Sequence, residues 1–142
     1  MDTLKSPFWF RALIIIILLL WNLMGILNFF FQLNITKADV LLLPESQKIF
    51  HTETTCISII SFAMGVFGGF IGCFALLTKR KTALKFFWIS FIGILLHMNH
   101  NLTLSKGGEM ESQILLMSSI LIALTLASIF LTKKAIAKNW VV

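Results

Sequence analysis

The chain has 142 residues, of which 58% are hydrophobic and 13% charged, with a formal net charge of +6 and a mean hydropathy of +0.92. Such a composition excludes a soluble monomeric globule and leaves no length for a soluble domain beside the apolar segments. Two cysteines are too few for a disulfide framework.

Four apolar runs, residues 13–31, 56–77, 83–102 and 114–131, fill most of the chain, with the charges between them. Each is close to the ~20 residues that cross a hydrocarbon core of roughly 30 Å. The expected spans are 11–33, 56–78, 83–102 and 113–132, joined by loops 34–55, 79–82 and 103–112. This predicts an all-α membrane protein, an antiparallel four-helix transmembrane bundle with crossings near +20°. The first run exceeds the usual h-region of about 7 to 15 residues and is not followed by an A-x-A-like site, so it is expected to be retained.

The placement of the charge argues against nucleic acid. Lys5, Arg11, Lys79, Arg80, Lys81, Lys85, Lys133, Lys134 and Lys138 fall at the chain start, in or just after the 79–82 loop, and after the fourth run. Asp39, Glu45, Glu53, Glu109 and Glu111 outnumber Lys37, Lys48 and Lys106 in the other two loops. By the positive-inside rule both termini and the 79–82 loop are expected on the cytoplasmic side.

In the long outer loop, Ala38 to Leu43 and Ile49 to Phe50 set apolar groups around Pro44, which predicts an interfacial helical turn or two with Pro44 in a first turn. Gly107 and Gly108 predict a turn in the second outer loop. Phe8, Trp9 and Phe10, then Phe86, Phe87 and Trp88, and finally Trp140 are placed as interfacial anchors. Cys56 and Cys73 lie on one run, about 25 Å apart if helical, too far to bridge within the chain.

Small and polar residues inside the runs carry the remaining information, because helices in lipid associate by close approach and interhelical hydrogen bonds. Ser58, Ser61, Gly65, Gly68, Gly72 and Ala75 recur at steps of three and four, and Gly69 adds a small-xxx-small pair with Gly65. They predict a packing face. In the third run Phe86, Ser90, Gly93, His97 and His100 repeat the spacing, with Asn101 one turn beyond His97. A hairpin turning near Arg80 sets His97 level with Gly65 and His100 with Ser61. Trp21, Gly25, Asn28 and Gln32 form a matching row in the first run, with Asn22 near the midplane.

Asn22, Asn28, Gln32, His97, His100 and Asn101 are therefore candidates for one polar pocket. Amides and imidazoles both donate and accept hydrogen bonds, which suits an uncharged polar solute. The bland reading is interhelical glue. A metal site would recruit His97 and His100 with His51 and Glu53, but an i, i+3 histidine pair without a fixed third ligand is a weak signal, and no metal or cofactor is expected. Catalysis is not expected, since those same four residues have no nucleophile beside them. No carboxylate or basic residue lies within the central part of any run, which argues against strong ion coupling.

The stretches Trp21-Asn-Leu-Met-Gly-Ile-Leu-Asn-Phe-Phe-Phe-Gln-Leu, Leu43-Pro-Glu, Val66-Phe-Gly-Gly-Phe-Ile-Gly-Cys and Lys134-Ala-Ile-Ala-Lys-Asn-Trp resemble a family of small four-span membrane proteins of Bacteroidota and related bacteria, nominally labelled sugar transporters. Asn22, Asn28, Gln32, Gly68 and Gly69 match its pattern; Thr54 to Cys56 depart from it, standing where an aromatic residue is usual. The resemblance implies a bacterial inner-membrane location and solute transport. Two readings follow: a carrier or facilitator of a small uncharged polar, sugar-like solute acting as a homo-oligomer, or a noncatalytic accessory subunit of a larger membrane complex.

Overall fold

The computed structural model describes residues 8–105, 109–139 and 141. They form six helices: α1 (Phe8–Asn34), α2 (Lys37–Leu42), α3 (Glu45–Thr52), α4 (Cys56–Leu77), α5 (Ala83–Leu104) and α6 (Glu109–Ala137). No strand occurs among the described residues. Residues Ala12–Asn34, Cys56–Leu77 and Ser112–Ala137 are long and apolar enough to cross a membrane, which marks a membrane protein. The helix α5 has the length of α4 but carries His97, Asn99, His100 and Asn101 in its last two turns and is not among those three.

The turn between α4 and α5 follows from its hydrogen bonds. Arg80 N–H donates to the Ala75 carbonyl at 2.8 Å and Lys79 N–H to that of Leu76 at 3.1 Å, the paired bonds of a Schellman cap, with Lys79 in the left-handed region at φ 58°. This turns α5 back antiparallel to α4. At the far end of α4, Thr55 caps the helix by accepting from Ser58 N–H.

Packing runs in series: α1 on α4, α4 on α5, and α5 on α6. The small residues Ser58, Ser61, Gly65, Gly68, Gly69, Gly72 and Ala75 are buried on α4. The register is one turn from the one expected. Gly93, not His97, comes opposite Gly65: a Cβ on Gly93 would stand 2.6 Å from Gly65 N and 2.7 Å from Ser61 O. Contact between two backbones is the closest approach helices have, so the pair of residues without side chains takes that position and the imidazole moves one turn along. Ser90 then donates to the Gly65 carbonyl at 2.6 Å.

On the other side of α4, a Cβ on Gly25 would meet Val66 Cγ1 at 2.9 Å, and Asn22 lies across Gly69. Phe87 differs from its expected place as an interfacial anchor. It is 2% exposed and presses on Gly72, where a Cβ would meet its ring at 2.8 Å. Trp88 keeps an exposed position, with Lys133 Nζ 5.9 Å from its ring centroid. The side chains of Phe8, Trp9 and Phe10, together with Trp140, Gly107 and Gly108, lie outside the described residues.

The buried apolar cluster gathers Ile15, Leu18, Cys73, Leu76, Ala83, Phe87, Ile129 and Ala135, all towards the end that carries the Lys79 to Lys81 turn. At the opposite end α2 and α3 form a cap. Thr36 and Asp39 build a capping box at the start of α2: Asp39 N–H donates to Thr36 Oγ1 at 3.2 Å and Thr36 N–H to Asp39 Oδ2 at 3.0 Å. Pro44 is the residue before α3, its carbonyl accepting from Gln47 and Lys48, instead of a member of the first turn.

Candidate functional site

Among the described residues no extensive seam joins α6 back to α1, and the gap between them is a cleft of about 350 Å³ with α4 and α5 as its floor. Every long helix contributes a polar group: Asn22 and Asn28 from α1, Ser61 from α4, Ser90 and His97 from α5, and Ser118, Thr125 and Ser128 from α6. Trp21, Met24, Phe62, Val66, Ile94 and Met98 supply apolar walls.

A second cavity, of about 950 Å³, lies under the α2–α3 cap. Gln32, Gln47, His51, Thr54, Ser58 and Asn101 give it a polar lining, and Phe29, Phe50 and Phe62 an aromatic one. The expected single pocket is thus two. Asn22 and Asn28 line the cleft, Gln32 and Asn101 the capped cavity, and His97 both; His100 lines neither. The Nε2 atom of His100 is buried without a hydrogen-bond partner among the described residues.

His97 is held at both ring nitrogens. Asn101 Nδ2 is 3.1 Å from Nε2, and Ser58 Oγ is 3.3 Å from Nδ1. An amide nitrogen only donates, so Nε2 accepts, and the neutral ring carries its proton on Nδ1, which donates to Ser58. The imidazole also stacks on Phe62, with centroids 4.8 Å apart and planes at 16°. Asn22 is fixed by its amide nitrogen, which donates to the Leu18 carbonyl at 2.8 Å and approaches Cys73 Sγ at 3.8 Å.

Among the described residues no three His, Cys, Asp or Glu side chains gather where they could share one ion. Cys56 is exposed and Cys73 buried on the same helix, in keeping with two unbridged thiols.

The hydroxyl stripe of α6 is the part of the site that sequence reasoning missed. Ser118, Leu121, Thr125, Ser128 and Thr132 recur at steps of three and four, the same signal that marked α4, and Ser118, Thr125, Ser128 and Thr132 are all buried. Thr125 and Ser128 donate to carbonyls four residues back, each at 2.8 Å, which lets small polar side chains sit inside an apolar helix.

Compared with protein-family models, curated proteins and solved structures, the chain matches none.

Proposed function

We propose that this chain is a four-span protein of a bacterial inner membrane, with both termini cytoplasmic, and that it is a carrier or facilitator of a small uncharged polar solute. The cleft between α1 and α6 carries this reading: a space of about 350 Å³ beside three membrane-length helices, to which each of the four long helices brings a polar group. Polar residues at membrane depth are costly and mark solute paths by default. The basic residues Lys79, Arg80, Lys81, Lys85, Lys133 and Lys134 lie at one end of the bundle, which supports the assigned orientation. Copies of the chain covering the open α1–α6 side complete the reading as a homo-oligomer.

The accessory-subunit reading draws less support. The lack of titratable groups in the spans and the short loops favour it, but a partner docking on the glycine stripe would find that face taken, since Gly65, Gly68, Gly69 and Gly72 are buried against α5 and α1 of the same chain. The test is uptake of labelled sugars, polyols and amides into proteoliposomes. A solute should enter faster than into empty liposomes, with the rate reduced at least tenfold in Asn28→Ala. Rates equal to empty liposomes across the panel would sink the proposal.

A further inference from the structure

The two cavities meet at a plate of three rings, one from each of three helices. Phe29 of α1 packs edge-on against Phe62 of α4 with centroids 5.7 Å apart, and Phe62 stacks on His97 of α5 at 4.8 Å. Phe62 and His97 line both cavities, whereas Phe29 and Gln32 line only the capped one and Gly25 and Asn28 only the cleft. The geometry points to a two-station path: the capped cavity is a separate loading site, and the Phe29–Phe62–His97 plate is the barrier that shuts it off from the cleft. This rests on the carrier reading and names the order in which a solute meets the two spaces.

The loading site, which Lys37 and His51 also line, has the chemistry for a hydroxylated ring without a positive charge. Gln32, Gln47 and Asn101 bring amides that both donate and accept, and Phe29, Phe50 and Phe62 bring flat apolar faces. The barrier is built so that one member moves. Phe29 is wedged among Phe30, Phe62 and Phe67, with centroids 5.7 to 5.8 Å apart. His97 has a face on Phe62 and two hydrogen bonds, to Ser58 and to Asn101, and both of these partners line the loading site itself. A solute that takes the Asn101 amide for its own hydrogen bond removes that tether from His97, and rotation of the imidazole then opens the plate. Asn101 is a positioning residue for the ring.

The test reads access instead of transport, so that its failure leaves the carrier proposal standing and failure of uptake leaves the barrier standing. In a Cys56→Ala background, with Cys73 left buried, single cysteines are introduced as Gln32→Cys in the capped cavity and Asn28→Cys in the cleft. Open membrane fragments, with reagent at both faces, are treated with a charged maleimide, and labelling is read by peptide mass spectrometry. Position 32 should label at least tenfold faster than position 28. Adding His97→Ala or Asn101→Leu should raise the rate at 28 at least tenfold and leave that at 32 unchanged. His97→Phe, which restores a ring without the tethers, should fall between the parent and His97→Ala. Equal rates at 28 and 32 in the parent, or a rate at 28 that His97→Ala does not move, would overturn the barrier.

Discussion

Asn22 of α1 occupies the space that any side chain at position 69 of α4 would need: a Cβ on Gly69 would overlap Asn22 Oδ1 and stand 2.9 Å from its Cγ. The amide cannot swing away freely, because its nitrogen is bonded to the Leu18 carbonyl. Gly69→Ala is therefore expected to destabilise the α1–α4 crossing by about 1 to 3 kcal/mol, the usual cost of overpacking. Asn22→Ala in the same chain should recover most of that loss. A double-mutant cycle of thermal unfolding in detergent measures the coupling, and strictly additive effects would show that the two positions do not compete.

Gly93 poses a harsher constraint, since the atoms a Cβ would meet are Gly65 N and Ser61 O, main-chain atoms that move only with the whole helix. Gly93→Ala should cost about 3 kcal/mol, the upper end of the overpacking range. Ser90→Ala, which deletes the 2.6 Å bond to the Gly65 carbonyl, should cost only about 0.6 kcal/mol, the average for interhelical bonds in membranes. Close approach thus outweighs the hydrogen bond beside it. Comparable losses for the two variants would contradict that ranking.

His100 separates from the other polar candidates. It lines neither cavity, and its Nε2 is buried without a partner among the described residues. Replacing an unsatisfied buried group with an apolar one of similar shape removes a desolvation cost, so His100→Phe should raise stability by about 1 kcal/mol. Uptake by this variant should match the parent. A loss of uptake comparable to that of Asn28→Ala would place His100 in the path.

The cap responds to acid. The side-chain hydrogen bond from Thr36, and then the one from its backbone N–H, hold the Asp39 carboxyl below the ordinary carboxylate value. A lowered folded value means that the contribution of the box is complete above the ordinary value and is lost as pH falls through the lowered one. An NMR titration of the Asp39 carboxyl should give a midpoint below that of an unstructured aspartate, and Thr36→Ala should return it upward. An unchanged midpoint in that variant would separate the box from the shift.

Much of this arrangement was legible in the residues, and the limits have physical causes. Spacing at three and four found the face of α4, because a 3.5-residue repeat is what keeps one side of a helix against its neighbours. Register was not legible to better than a turn. It depends on the Schellman cap at Lys79 and on which small residue wins the closest approach, and Gly93 wins over the expected position of His97. Grouping Asn22, Asn28, Gln32, His97, His100 and Asn101 by depth expects one pocket, whereas the residues divide between two spaces that share His97. Depth alone could not reveal that Asn28 and Gln32 line different spaces, both bounded by Phe62, nor that His100 lines neither.

The hydroxyls of the cleft have one more consequence. Ser61 donates to the Ile57 carbonyl, Thr125 to Leu121, Ser128 to Leu124 and Ser90 to Gly65. Each proton is already spent on the backbone, so these four oxygens meet a guest with lone pairs alone. A molecule bearing O–H or N–H groups finds acceptors at these oxygens, while an ether or ester of the same shape finds no donor in them. By satisfying their own side chains, α4, α5 and α6 have turned four hydroxyls of the cleft into hydrogen-bond acceptors alone.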